Sequence, residues 1–250
     1  MERCKASISR DERIYIMVLN FLGRGSGFSA EHTSAYFTTD SKEMVVIDCP
    51  MSTFQKLEKK KDLTSFEKFY ILITHTHGDH IGGLGLFVQY AYFTLKKPVV
   101  VVAPSEAVKD DIETVLRIEG NELSWCKLVT VDAIREKEWF GDCILTQHSP
   151  QLENKCFGYH LIVNDTDVVY TGDTSTLTPF LPFLADESEL YVDTSVYYGM
   201  IHLKLEDALE DFISLAKSGI KVYLMHLDDV SAAEKIVKSI RNVEVVKLVL

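Results

Sequence analysis

The residues best suited to chemistry in this chain form a short H-x-H-x-D-H cluster that runs from His75 to His80. Imidazole nitrogens and carboxylate oxygens are common ligands of zinc and other divalent ions. In an extended loop His75 and His77 project to the same side, so both could hold one ion, while Asp79 and His80 could face a second. A catalytic zinc takes about three protein ligands and keeps one position open for water. The cluster therefore supplies only part of two ligand sets, and other ligands must come from elsewhere in the chain.

The elements around this cluster place it at the end of a strand. The pattern predicts a strand over Phe69–Ile73 and a helix over Ile81–Leu95, where apolar residues recur three and four positions apart. Strands and helices alternate along the rest of the chain, which from periodicity alone indicates an α/β or α+β fold with many strands. The other predicted strands are Tyr15–Leu19, Ser34–Thr39, Met44–Ile47, Val99–Val102, Lys127–Val131, Cys143–Gln147, Phe157–Val163, Val168–Thr171, Leu190–Val192, Val222–Met225 and Val243–Val246, and the other predicted helices are Ser105–Leu116, Leu205–Lys217 and Ser231–Ile240.

Length and composition favour one globular domain over residues 1–250, since a single core stops growing at roughly 250–300 residues. Hydrophobic residues make up 46% of the chain and charged residues 25%. No apolar run approaches the roughly 18–20 residues of a membrane span, and the N-terminus lacks the apolar region of a signal peptide. We therefore expect a cytoplasmic protein with no membrane partner. Five cysteines without a C-x-x-C pair agree with a reducing compartment.

The charge balance limits the class of ligand. Lys and Arg number 26 against 37 Asp and Glu, which gives a net charge of −11. Broad nucleic-acid binding needs clustered Lys and Arg, so this balance disfavours it. A bound pair of metal ions could still reverse the sign of the charge locally.

The sequence resembles the metallo-β-lactamase superfamily, whose hallmark is H-x-H-x-D-H, and within it the ribonuclease Z-like phosphodiesterase branch. The resemblance covers most of the chain in motif order and spacing. It implies a four-layer αββα sandwich with two mixed sheets and helices outside. The other segments that carry it are Phe21-Leu22-Gly23, Val45-Val46-Ile47-Asp48, Thr146-Gln147-His148-Ser149-Pro150, Phe157-Gly158-Tyr159-His160-Leu161, Tyr170-Thr171-Gly172-Asp173-Thr174 and Leu224-Met225-His226.

The resemblance also implies a role for each site residue. One ion would be held by His75, His77 and His148, and a second by Asp79, His80 and His226, with Asp173 bridging both. The Asp48 carboxylate would brace the metal loop from behind the ligands. Zinc is the expected metal, and manganese or iron would also accept these ligands.

A proton donor is implied as well. His202, nine residues after Asp193, resembles the branch's acid–histidine pair. In the branch the acid is usually Glu and the histidine is usually followed by Ser or Thr, whereas here Asp193 is the acid and Leu203 follows. We predict Asp79, His202 and Asp193 as catalytic residues. We expect His32 to be a loop histidine and His160 to be structural.

The expected reaction is hydrolysis of a small phosphodiester, a cyclic nucleotide or a short nucleic-acid fragment, by attack of a metal-held hydroxide. Only 24 residues separate His148 from Asp173, too few for the tRNA-gripping arm of ribonuclease Z, so full-length tRNA is not the expected substrate.

The main alternative is a lactone, ester or thioester hydrolase that uses the same site. A non-catalytic metal-binding module is a further alternative. The resemblance also suggests a homodimer.

Overall fold

Two mixed β-sheets form the centre of the fold in the computed structural model, which describes residues 17–60 and 62–249. The strands lie in chain order across each sheet. Strands β3 to β6 and β9 to β12 run parallel, and the other neighbours are antiparallel. The first sheet contains β1 (Asn20–Gly23), β2 (Ser34–Thr38), β3 (Glu43–Ile47), β4 (Lys68–Leu72), β5 (Val99–Ala103) and β6 (Lys127–Thr130), and the second contains β7 (Phe140–Leu145), β8 (Phe157–Val163), β9 (Thr166–Tyr170), β10 (Glu189–Asp193), β11 (Lys221–Met225) and β12 (Val243–Val245).

Helices cover the outer face of each sheet. Those packed on the first sheet are α1 (Met51–Lys59), α3 (Leu84–Tyr90) and α4 (Glu106–Ile118), and the short α2 (Gly78–Ile81) precedes α3; the second sheet carries α5 (Leu205–Lys217) and α6 (Val230–Val237). Three separate hydrophobic clusters result, one between the sheets and one under each helical layer. This arrangement confirms the four-layer αββα sandwich. None of the helices in the described ranges is long and apolar enough to cross a membrane.

Strand β4 illustrates why the sequence folds into these layers. Phe69 and Ile71 pack against the helices, whereas Tyr70 and Leu72 pack into the cluster between the sheets. Successive side chains of a strand point to opposite faces, so a strand covered on both faces is apolar throughout. The metal-loop residues follow directly, and the loop therefore begins at the carboxyl end of a fully buried strand.

The predicted helix over Ile81–Leu95 is wrong as a single element. Helix α2 ends at Ile81, α3 spans Leu84–Tyr90, and a π-helical turn covers Ala91–Leu95. The break has a packing cause, because a Cβ on Gly83 would lie 2.5 Å from the carbonyl oxygen of Pro50. Glycine at this position lets the chain pass close to the start of α1.

Three other sequence expectations differ from the structure. The predicted strand Tyr15–Leu19 is wrong over residues 17–19, which are irregular, and residues 15 and 16 lie outside the described part; the first strand is β1. The strand predicted to reach Gln147 ends at Leu145. Helix α1 was not predicted, because only Thr53 and Leu57 are buried in it and two buried positions give little periodicity.

Two buried tyrosines on adjacent strands differ in whether their hydroxyl groups form a hydrogen bond. Tyr159 and Tyr170 are register partners and both are fully buried. The Tyr159 hydroxyl donates to the carbonyl oxygen of Ile73 at 2.6 Å, whereas the Tyr170 hydroxyl has no partner among the described residues. We expect Tyr159→Phe to lower the free energy of unfolding by about 1 kcal/mol, since a buried acceptor loses its donor.

Tyr170→Phe is the matched control and is expected to leave that free energy unchanged or to raise it. Urea unfolding followed by circular dichroism measures both variants. Equal losses in the two would contradict a specific role for the hydrogen bond to Ile73.

Candidate active site

The candidate site residues lie where parallel strands end. Asp48 follows β3, His75 is the third residue after β4, Asp193 ends β10 and His226 follows β11. The remaining residues come from adjoining loops: His77, Asp79 and His80 from the segment after β4, His148 from the loop after β7, Asp173 from the loop after β9, and His202 from the loop before α5. Parallel strands of both sheets present their carboxyl ends at the same edge of the sandwich. Open α/β sheets place their ligand sites at such an edge.

The first group of ligand atoms belongs to His75, His77, His148 and Asp173, all within 4.8 Å of one another. His75 Nε2 lies 3.0 Å from His77 Nδ1, and His148 Nε2 lies 3.3 Å from the same atom. The Oδ2 atom of Asp173 is 3.8 Å from His75 Nε2 and 3.6 Å from His148 Nε2. Donors around a tetrahedral zinc lie about 3.3 Å apart, so these separations suit such an ion.

The second group consists of Asp79, His80, His226 and Asp173. His80 Nε2 lies 3.4 Å from an oxygen of Asp79 and 3.3 Å from Oδ1 of Asp173. His226 Nε2 is 3.3 Å from Asp79 Oδ2 and 3.4 Å from Asp173 Oδ2. Asp173, which is 3% exposed, belongs to both groups and lies at the position a bridging carboxylate would take.

Hydrogen bonds behind the ligands orient the imidazole rings. The Thr74 hydroxyl donates to Asp48 at 2.8 Å, so its oxygen accepts from Nδ1 of His75 at 3.0 Å. Asp48 also accepts from Nδ1 of His80 at 2.8 Å. The carbonyl oxygen of Ile201 accepts from Nδ1 of His148 at 2.7 Å. Each Nδ1 then carries the proton, and each Nε2 directs a lone pair into the cluster.

The positions of these lone pairs show whether the cluster suits a metal ion. The Nε2 of His80 is buried without a hydrogen-bond partner among the described residues, and its nearest polar neighbours are carboxylate oxygens. Lone pairs that face one another without a proton between them repel, and a cation between them removes the repulsion. The donor set is nitrogen and oxygen only, as borderline divalent ions prefer. The residues therefore fit a pair of divalent ions.

The electrostatics of the two groups differ. Burial lowers the pKa of His75 well below its usual value and also lowers the pKa of His77, which keeps both rings neutral. Burial opposes a charge on His226 too, but the carboxylates of Asp173 and Asp193 outweigh it and raise the pKa of His226 to about 10. The second group thus lies in a field that favours positive charge.

Left-handed backbone conformations occur at three positions of the site. Asp48 has φ 60°, Gly172 beside Asp173 has φ 60°, and His226 has φ 58°. Residues other than glycine seldom adopt this conformation, and those that do cluster at functional sites. The backbone N–H of His226 donates to the Thr33 hydroxyl at 3.0 Å, which holds the strained residue in place.

His202 and Asp193 form a pair next to the cluster. Nδ1 of His202 lies 2.7 Å from Asp193 Oδ2, and the buried Asp193 also accepts from the backbone N–H of Thr174 at 2.9 Å. The ring centroid of His202 is 4.9 Å from that of His148 and 5.0 Å from that of His226. Burial opposes protonation of His202, yet the charge of Asp193 and its hydrogen bond raise the pKa above its usual value. Asp193 has a shorter side chain than the glutamate that is usual in the branch, and it still forms a hydrogen bond with His202.

Sequence reasoning missed a residue that shapes the loop before His202. Asp228 accepts hydrogen bonds from the Ser195 hydroxyl at 2.6 Å and from the backbone N–H groups of Val196 and Tyr197 at 2.7 and 3.0 Å. It holds the start of the segment that carries His202. The sequence offered one signal for Asp228, which is its position two residues after the predicted ligand His226.

Two further histidines lie outside the ligand groups found among the described residues. His32 is in a loop, where its backbone N–H donates to the Ser52 hydroxyl at 3.0 Å. His160 is on β8 and pairs with Asp167 at 2.7 Å. Both positions agree with the expectation of a loop histidine and a structural histidine.

The support that Asp48 gives to two rings yields a prediction. We expect Asp48→Asn to weaken metal binding about 10- to 100-fold, because partners of ligand imidazoles typically contribute this much affinity. Bound metal is measured by mass spectrometry after dialysis against graded chelator. Asp167→Asn, which removes the carboxylate of the remote His160 pair, is the control and should retain the wild-type metal content. Equal retention by both variants would contradict the role of Asp48.

Comparison with known proteins agrees with this geometry. The family described as Anti-Pycsar protein Apyc1 matches residues 17–247. Anti-Pycsar protein Apyc1 of Bacillus phage 010DV004 is 27% identical over 238 residues, which cover 86% of this chain and 90% of that protein. Ribonuclease Z of Pediococcus pentosaceus is 26% identical over 201 residues, which cover 78% of this chain and 61% of that protein. The chain spans about a third to three fifths of the length of the ribonuclease Z relatives it matches.

The solved structures agree on the fold. The metallo-β-lactamase fold protein YhfI from Bacillus subtilis superposes with a TM-score of 0.71 at 18% identity, covering 93% of this chain and 97% of that one. The expectations of a metallo-β-lactamase fold and of a ribonuclease Z-like relationship are confirmed at this level. With a match that runs from residue 17 to residue 247, the chain, which has the metallo-β-lactamase fold, belongs to the Anti-Pycsar protein Apyc1 family.

Proposed function

We propose that this chain, a hydrolase of the metallo-β-lactamase fold, cleaves a small phosphodiester, and that the substrate is a cyclic nucleotide or a short nucleic-acid fragment. The observation that carries the proposal is the position of Asp173 between two ligand groups that share its carboxylate. Family membership favours the cyclic nucleotide over the nucleic-acid fragment.

Seven residues would hold the metal ions. His75, His77 and His148 would bind one ion, and Asp79, His80 and His226 the other, with Asp173 shared. When bound, two divalent ions lower the pKa of a water and neutralise charge on a phosphate. Zinc suits the nitrogen and oxygen donors best, and manganese or iron are the alternatives.

The chain itself would supply the proton for the leaving oxygen. His202 carries a proton on Nδ1 toward Asp193, and its raised pKa favours a second proton on Nε2. A protonated imidazole in this position can act as a general acid on an alkoxide leaving group. Asp193 would hold the ring and stabilise its charge. A thioester hydrolase expels a thiolate, which leaves without a proton, so the presence of this pair favours a substrate with an oxygen leaving group.

The segments beside the site favour a small substrate. The residues between His148 and Asp173 are used by a short helical turn at Pro150–Leu152 and by the hairpin of β8 and β9, which leaves no arm to grip tRNA. Beside His202, Tyr198 is 71% exposed and Met200 is 93% exposed. These apolar side chains could contact a nucleobase.

A hydrolysis screen with metal-replete protein tests the function. The substrates are 3′,5′-cyclic nucleotides, bis(p-nitrophenyl) phosphate, a lactone and a thioester. We expect turnover of the phosphodiesters, and we expect His77→Ala to remove metal and activity together because a ligand is lost. His160→Ala, a histidine outside the cluster, should keep both. Turnover of only the lactone or thioester would contradict the phosphodiesterase, and full metal occupancy in His77→Ala would contradict the ligand assignment.

Proton donation by His202 predicts that the loss of rate in a His202 variant depends on the leaving group of the substrate. His202→Ala should slow hydrolysis of an alkyl phosphodiester about 10²- to 10⁴-fold, because a poor leaving group needs the proton. Hydrolysis of bis(p-nitrophenyl) phosphate, whose leaving group departs unprotonated, should change far less. The kcat values of the variant on both substrates, at equal metal content, measure this. Equal losses would contradict proton donation by His202.

A further inference from the structure

A second concave site lies at the edge of the first sheet, under the π-helical turn at Ala91–Leu95. It is a groove of about 750 Å³ whose lining includes Tyr92, Phe93, Lys96, Trp125 and Lys127. This volume is in the range of small-molecule sites. We call it the lysine–aromatic groove. None of its lining residues belongs to the ligand groups of the candidate active site.

The groove and the metal cluster lie at opposite ends of the same strands. Lys68 begins β4 and lines the groove, whereas His75 follows the other end of that strand. Val99, the first residue of β5, and Lys127, the first of β6, also line the groove. Five residues of extended chain span about 13 Å from the first Cα to the last, so the Lys68 end of the groove lies at least that far from the metal loop.

Three aromatic rings form one wall of the groove. Tyr92 and Trp125 are nearly parallel at 26°, with centroids 5.7 Å apart, and Phe93 meets Trp125 edge-on at 4.9 Å. Tyr92 remains 42% exposed and Phe93 53% exposed. Adjacent exposed aromatic side chains often mark an interaction site. π-Helical turns such as the one that presents them occur frequently at functional sites.

The charge of the groove runs against that of the whole chain, which is −11. Four lysines line it: Lys68, Lys96, Lys97 and Lys127. Two of these have carboxylate neighbours, because Lys68 lies 3.9 Å from Glu43 and Lys97 lies 3.6 Å from Glu67. Glu43 is shared with Lys137, at 3.1 Å.

The other two lysines have no carboxylate within ion-pair distance in the described ranges. The ammonium group of Lys96 lies 5.9 Å from the ring centroids of both Tyr92 and Phe93. Lys127 is exposed at the edge strand β6. Both amines are therefore available to an anion, and one of them is held beside open aromatic faces.

We propose that the lysine–aromatic groove binds a nucleoside phosphate. The base would stack on the exposed ring of Phe93, beside Tyr92 and Trp125, and the phosphate would lie against the amines of Lys96 and Lys127. Base–aromatic stacking beside a positively charged rim is how proteins hold nucleotides without reading their sequence. The proposal depends on the groove alone and does not depend on the function proposed for the metal cluster.

Fluorescence titration tests the groove directly. Trp125 is one of two tryptophans in the chain, and it lies in the groove, so a stacked base should quench it. The probe is adenosine 5′-monophosphate, a phosphomonoester. We expect saturable quenching, with adenosine binding about tenfold more weakly because it lacks the phosphate that contacts the lysines. The absence of any binding of this probe at millimolar concentration would overturn the proposal.

Variants locate the binding. The Lys96→Gln, Lys127→Gln double variant should weaken binding about tenfold, and Phe93→Ala should weaken it by a similar factor through lost stacking. The Lys59→Gln, Lys238→Gln double variant makes the same change in net charge away from the groove and should bind as the wild type does.

The last comparison separates the two sites. His77→Ala, altered in the metal cluster, should keep binding the probe. Binding that is lost in His77→Ala and kept in the groove variants would place the ligand at the metal cluster and overturn the proposal. Binding of a hexaglutamate peptide or a short oligonucleotide, with no binding of the mononucleotide, would also overturn it, because the groove would then serve a macromolecule.

Discussion

Buried lone pairs that face one another are the constraint on which the rest of this structure depends. The Nε2 atoms of His75, His80 and His148 converge because each Nδ1 is held from behind by a hydroxyl, a carboxylate or a carbonyl. Such an arrangement is unfavourable without a positive charge in its centre. The fold must therefore hold these nitrogen atoms together. The strained left-handed backbone of Asp48 and His226 is part of the energetic cost of doing so.

The two sheets supply different ligands to the site. The first sheet supplies the contiguous loop of His75 to His80, together with the Asp48 carboxylate that braces it. The second sheet supplies His148, Asp173 and His226 from three separate loops. The apolar cluster between the sheets, where Tyr159 reaches across to Ile73, sets how closely the two contributions approach.

Much of the site could be predicted from the sequence because its ligands follow strands, and strands leave a local apolar pattern. The resemblance then supplied the distant ligands, which spacing alone could not bring together. The break between Ile81 and Leu84 was missed because it depends on the close approach of Gly83 to Pro50, and the helix over Met51–Lys59 was missed because only two of its residues are buried. Asp228 was missed for a related reason, since it acts on a loop 32 residues away in sequence.

The division of ligands between the sheets has a consequence for the life of the protein. Ions held jointly by His77 of one half and His148 of the other would act as a clasp across the sandwich. Anything that binds only the folded chain adds to its stability in proportion to the logarithm of its concentration. Newly made chains would then be stabilised in step with the supply of metal, and scarcity would raise the fraction that is unfolded.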